Sequence, residues 1–138
     1  RQRQMCIRDR YNRYRWVFDR TSVVNISIDG ADAKVYEQLR LGGNFKQLCD
    51  NMAFLKQIKR NFKIYLHMVV QKNNWKQMPA VLDMCDAYGF EQVYFNLIQD
   101  WTTGLDITEQ THFTTLDEYK TIKGQLTKHP LAEVCQLP

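Results

Sequence analysis

The sequence predicts an α/β fold in which about three parallel strands carry flanking helices. Three observations point there. Residues 22–28, 63–70 and 92–98 are short runs rich in Val, Ile, Leu and Tyr, and each closes on polar or turn residues. Between them, apolar residues recur at three- and four-residue spacing, the period of an amphipathic helix. The resulting order, strand, two helices, strand, helix, strand, loop, helix, is the alternation that builds a parallel sheet with right-handed crossovers.

The chain's 138 residues fall in the single-domain range, and its 44% hydrophobic and 25% charged residues are those of a globular protein. It has no run of about 18 apolar residues, so no transmembrane segment and no membrane partner are expected. Its basic N-terminus is followed by no apolar stretch, so no signal peptide is visible and a cytoplasmic location is expected. The net charge of +4 is unevenly spread: residues 1–20 hold seven Arg against two Asp, which leaves the remaining 118 residues at −1. A spread-out basic face of the kind that binds nucleic acid is therefore not expected. Cys6, Cys49, Cys85 and Cys135 are widely spaced, with no CxxC and no His at a zinc-ligand interval. They read as reduced thiols acting as small hydrophobes, not as a disulfide framework or metal site.

Residues 1–20 form a basic, poorly patterned segment. Its interleaved Arg and Tyr superficially resemble a base-stacking surface, but nothing downstream continues the pattern, and a frayed or non-native end is expected. Trp16-Val17-Phe18 could be the last turn of a helix, or its linker, before the first strand. In Ser22–Ile28, Asn25 and Ser27 alternate with Val24, Ile26 and Ile28, predicting one oily and one small-polar face. Asp29-Gly30 closes this strand. Ala33–Leu39 reads as a short helix, Gly42-Gly43 break it, and Asn44 is placed to cap the next. That helix, Phe45–Ile58, carries Phe45, Leu48, Cys49, Met52, Leu55 and Ile58 on one stripe.

Lys63–Val70 is the second strand, with Ile64, Leu66 and Met68 alternating with Tyr65, His67 and Val69. A helix beginning at Trp75 or Met78 and ending at Tyr88 follows, with Pro79 tolerable only in its first turn and Gly89 as its C-cap. Gln92–Ile98 is nearly all apolar and reads as a buried parallel strand. Residues 99–111 read as a loop long enough to be functional, Leu116–Leu126 as a weak last helix, and Leu131–Pro138 has too little pattern to assign. Three strands are few for a closed α/β domain. The pattern reads as part of a sheet whose first strand lacks a neighbour, and a fragment is expected.

In such a sheet ligands sit at the C-terminal strand ends. There the sequence places Ser27, Asp29 and Gly30, then Gln71, Asn73 and Asn74, then Asn96, Gln99 and Asp100. This neutral, hydrogen-bonding set suits a polar cofactor better than acid–base catalysis. Arg40 is a fork suited to a carboxylate or, equally, a structural ion pair with Glu37 or Asp32. His67 reads as a hydrogen-bonded structural histidine. Trp75 and Trp101 could each wall a pocket or cover a rim. Gly42-Gly43 follow a helix and not a strand, so they are no phosphate loop.

ISIDGADAKVYEQLRLGGNF (Ile26 to Phe45), the helix ending LKQIKR, the strand HMVV with its exit QKNNW, and QVYFNLIQDW together resemble the middle of a radical S-adenosylmethionine enzyme. The subgroup is the one that often carries a C-terminal SPASM or Twitch domain, and the likeness spans Ser22 to Trp101. It implies the second half of a partial (β/α)6 TIM-like barrel at 21–101, followed at 102–138 by a loop and helix leading towards a further C-terminal region. Such enzymes use a [4Fe-4S] cluster, reduced by flavodoxin or ferredoxin, to cleave S-adenosylmethionine to a 5′-deoxyadenosyl radical that takes hydrogen from substrate. By this likeness Ser27 and Asp29 would lie near S-adenosylmethionine and Arg40 near its carboxylate. Asn73 or Asn74 would lie near ribose, and Leu97 to Gln99 near adenine. The CxxxCxxC motif that holds the cluster is absent from this sequence, so no metal ligands or catalytic residues are expected here, and the chain alone should not cleave S-adenosylmethionine. The substrate stays unknown. Two other classes stay open: a fragment of another α/β-barrel metabolic enzyme, and a non-catalytic α/β interaction module.

Overall fold

A computed structural model describes residues 7–99 and 106–135. Asp100, Trp101 and Cys6 lie outside the described residues, and with them the readings that Asp100 ends a strand and that Trp101 walls a pocket.

Four strands form one sheet: β1 (Val23–Ser27), β2 (Lys63–Val70), β3 (Gln92–Leu97) and β4 (Ala132–Cys135), in the order β1-β2-β3-β4. Every neighbouring pair is parallel. The expectation of about three strands is thus corrected to four. The tail that lacked pattern supplies β4, which is too short to show an alternation and is held by its ladder to β3. Helices fill the connections: α1 (Ile7–Arg13) and α2 (Arg15–Phe18) before the sheet, α3 (Ala33–Leu39) and α4 (Phe45–Gln57) after β1, and α5 (Met78–Tyr88) after β2. After β3 come α6 (Thr108–Thr111) and α7 (Asp117–Leu126), so the expected loop 99–111 contains one helical turn.

The local signals act as the residues require. Asp32 accepts from the Val35 amide to cap α3, and Asn44 accepts from the Gln47 amide to cap α4. Pro79 sits in the first turn of α5, and Gly89 ends that helix in the left-handed conformation, φ 67°. Tyr11 packs on Phe18 and Phe54, which seats the short N-terminal helices against α4.

A strand order that never reverses sends every right-handed crossover to the same side of the sheet. The burial pattern follows. Ile26, Ile28, Ile64, Leu66, Met68, Val70, Val93 and Phe95 point into one core with Met52, Leu55, Met78, Val81 and Cys85 from the helices. The alternate residues, Asn25, Ser27, Tyr65, His67, Val69, Tyr94 and Asn96, stand on the other face, half-buried or exposed. This corrects the reading of 92–98 as a strand buried on both faces: Tyr94 and Asn96 lie on the open side.

The segment 106–126 joins the same core. Trp75 stacks on Phe113 at 5.6 Å, and Tyr119 meets both rings edge-on. Lys72 and Lys76 bind Glu109 and Glu118 across the same seam. Trp75 is therefore core, not the wall of a pocket. The Tyr119 hydroxyl is buried here with no hydrogen-bond partner among the described residues, and burial pushes its pKa up to about 12. Leaving such a group unpaired costs about 1–3 kcal/mol. Tyr119→Phe is expected to raise the melting temperature, read by thermal unfolding; a loss of stability would show that the hydroxyl has a partner.

Candidate functional site

The C-terminal ends of β1 and β2 are tied together by one side chain. Asn74 is 1% exposed. Its amide nitrogen donates to the carbonyls of Val69 and Asp29, at 2.9 and 3.1 Å, and its Oδ1 accepts from the Gln71 amide at 2.8 Å. Burying an amide without partners costs several kcal/mol, and these three bonds offset it. Gln77, just beyond, accepts from the Ala31 amide at 2.7 Å and donates to the Asp32 carboxylate. The exit of β1 is thus held by the exit of β2. Gly30 is required at this junction: a Cβ there would lie 2.8 Å from the Tyr36 nitrogen and 3.1 Å from the Gln77 oxygen.

Above the junction Asp29 and Arg40 form an ion pair, Nε to Oδ2 at 2.6 Å, with the Asp29 side chain 14% and the Arg40 side chain 39% exposed. Asp29 is thus the partner of Arg40, where Glu37 and Asp32 were the structural candidates; those two serve backbone amides instead. Arg40 reaches Asp29 because the chain turns back after it. Gly42 adopts φ 81°, and the Gly43 amide donates to the Arg40 carbonyl at 2.8 Å. A Cβ on Gly43 would meet that carbonyl at 2.9 Å.

The residues singled out in the sequence fall into three groups. Ser27, Asp29 and Arg40 gather at the β1 exit, with Ser27 exposed on the open face. Asn73 is exposed in the β2 exit turn, while Asn74 beneath it is a strut whose polar atoms are all engaged. Leu97 alternates with Phe95 and packs on the helical side, so Asn96, not Leu97, turns its side chain to the open face. Gln99 lies half-buried just past β3.

In the middle of the open face His67 is hydrogen-bonded, as its sequence position led us to expect, but its partners on the neighbouring strands were not anticipated. There the His67 ring stacks on Tyr94 at 4.8 Å and 13°, and its Nε2 lies 3.1 Å from Asn25 Oδ1. The Tyr94 hydroxyl donates to Gln92 at 3.1 Å, and the Gln92 amide donates to Glu133 at 2.9 Å. Strand alternation was the signal that could have placed Asn25, His67 and Tyr94 on one face; their meeting there depends on register. Burial lowers the pKa of His67, which favours the neutral ring.

Among the described residues no group of His, Cys, Asp and Glu is arranged to hold a metal ion, and no helix is long and apolar enough to cross a membrane. A hollow of about 240 Å³ opens near Tyr11, Lys59 and Arg60, at the N-terminal end of β2 and away from these groups. Arg60 there is engaged with Glu91 and with the Phe62 and Gly89 carbonyls, so it acts as a clamp between two loops.

No family model matches the chain, and no curated protein matches it. Solved structures do. Streptococcus suis SuiB bound to precursor peptide SuiA matches with a TM-score of 0.62 at 13% sequence identity, over 81% of this chain and 26% of SuiB. A second structure of Streptococcus suis SuiB matches with a TM-score of 0.60 at 13% identity, over 83% of this chain and 26% of SuiB. At that identity the likeness is one of fold, and this chain spans about a quarter of the length of SuiB.

Asn74→Ala would strip partners from two carbonyls and one amide at once. A loss of about 3 kcal/mol in a denaturant titration is expected, and Asn74→Asp should be no better, because a carboxylate cannot donate to the Val69 and Asp29 carbonyls. Wild-type stability in either variant would show that the strut is dispensable.

Proposed function

We propose that this chain is the second half of the core barrel of a radical S-adenosylmethionine enzyme, and that the exits of its strands form one wall of the S-adenosylmethionine site. The observation that carries the reading is the one-sided sheet: four parallel strands in unreversed order, helices on one face and a polar, aromatic face left open. Parallel sheets are as a rule covered on both faces. A strand set wound in one direction closes instead into a barrel whose interior is the uncovered face. The fold likeness to SuiB, a radical S-adenosylmethionine enzyme with a SPASM domain, supports this, as do the sequence segments from Ile26 to Trp101.

The residues present fit the organic cofactor and not the cluster. Ser27 and Asn73 offer exposed neutral hydrogen-bonding groups, and Arg40 offers a partly exposed guanidinium beside Asp29. Together they suit a ligand that carries hydroxyls and an amino-acid end. Among the described residues no group is arranged to hold a metal ion, and the sequence carries no CxxxCxxC motif, so the reading gives these residues the organic cofactor and not the cluster. S-adenosylmethionine in such enzymes supplies a carbon-centred radical that takes a hydrogen atom from substrate. Here Arg40 would bind the carboxylate, Asp29 would keep the guanidinium aimed, and Ser27 and Asn73 would meet the ribose side, with Gln99 bordering the base while the Leu97 side chain packs on the helical side. Asn74 would act from beneath, by holding the Asp29 backbone in place. SuiB is bound to a precursor peptide, which makes a peptide the first substrate class to test.

Isothermal titration with S-adenosylhomocysteine, which needs no cluster chemistry, tests the site. Binding by the wild type is expected, weakened about ten-fold in Arg40→Ala, the loss of roughly 1.4 kcal/mol that one exposed charge-assisted contact represents. No binding at millimolar ligand, or equal binding by the variant, would overturn the assignment.

A further inference from the structure

We propose that His67 is a ligand-contacting residue that presents Nδ1 as a hydrogen-bond acceptor to a hydroxyl or amine hydrogen of the molecule that meets Ser27; this rests on the S-adenosylmethionine reading above. His67 and Ser27 are direct partners across β1 and β2, on the same open face. Adjacent strands run about 4.8 Å apart, so a ligand seated on Ser27 abuts the imidazole. The ring is held from two sides. Its face lies 4.8 Å from Tyr94, and its Nε2 lies 3.1 Å from the Asn25 oxygen. Tyr94 is itself oriented through Gln92 and Glu133.

With the Asn25 oxygen as its acceptor, the neutral ring carries its proton on Nε2 and Nδ1 keeps its lone pair. Among the described residues Nδ1 has no hydrogen-bond partner. Stacking on Tyr94 alone would be served as well by a phenyl ring. The histidine adds an acceptor beside Ser27, where β1 passes into its exit.

The groups facing His67 leave its charge state to burial. β1 contributes Asn25 and Ser27, β3 contributes Tyr94, and β2 itself contributes Tyr65 and Val69. The nearest charged groups on this face are Lys63, two pleats down β2, and Glu133, one strand beyond Tyr94; Asp29, past Ser27, is paired with Arg40. Burial lowers the His67 pKa below its ordinary 6.5. The acceptor is therefore available at neutral pH and is lost as pH falls through the lowered value.

Two measurements on this chain decide it. Nitrogen NMR of the imidazole at about pH 7.5 should show a neutral ring protonated at Nε2; protonation at Nδ1 would overturn the proposal. S-adenosylhomocysteine should bind the wild type progressively more weakly as pH falls from 7.5 through the lowered pKa of His67, approaching the affinity of His67→Phe once the ring is protonated. His67→Phe, which retains the stack on Tyr94, should bind weakly throughout. His67→Asn, whose amide oxygen can occupy the Nδ1 position, should restore binding without the pH dependence. Binding that is independent of pH and equal in wild type and His67→Phe overturns this proposal alone and leaves the proposed function standing. Failure of every protein to bind at any pH overturns both.

Discussion

The buried amide of Asn74 is the constraint on which the site depends. It sits where β2 turns into its exit loop, yet one of its bonds goes to the Asp29 carbonyl on another strand's exit. The amide side chain is suited to this because it donates twice and accepts once in a fixed plane, which matches two carbonyls and one amide. Asp29 is thereby held by its backbone. Its carboxylate then has a defined place from which to hold Arg40, while the Gly42-Gly43 turn brings Arg40 back to meet it. Two loops 45 residues apart in sequence, and the end of α3 between them, act as one rim.

One-sided winding explains why that rim has a floor. With every crossover on one side, the helices bury Ile26, Leu66, Met68 and Phe95, and the opposite residues of the same strands are left for other uses. Those residues are chiefly amides, hydroxyls and rings, with charge at Lys63, where β2 begins, and at Glu133, in register with Tyr94 and His67. A surface meant only for water carries more charge than this. The ordered chain from Asn25 through His67 and Tyr94 to Glu133 is what a preorganised interior looks like when its side chains are held by neighbours on adjacent strands.

Much of this was legible locally. The alternation in 22–28 and 63–70, the stripe of Leu48, Met52 and Leu55, and the caps Asn44 and Gly89 are short-range signals, and they specify their elements within a residue or two. The strand β4 was not legible, because four residues carry no period and its existence rests on hydrogen bonds to β3. Trp75 was ambiguous for a similar reason. A tryptophan after a strand end can cover a rim or fill a core, and the choice was made by Phe113 and Tyr119, about forty residues away.

By itself, then, the sequence determined the α/β class, the parallel alternation and the roster of polar groups at the strand ends, because pattern and turn chemistry act over a few residues. Only the tertiary structure decided which of those groups meet. It paired Arg40 with Asp29 over the nearer Glu37, made Asn74 a strut and left Asn73 exposed, and turned Leu97 inward while Asn96 faced out. It also joined Asn25, His67 and Tyr94, which lie on three different strands. Those outcomes depend on strand register and on loop exits packing against each other, and register is a relation between segments that no single segment encodes.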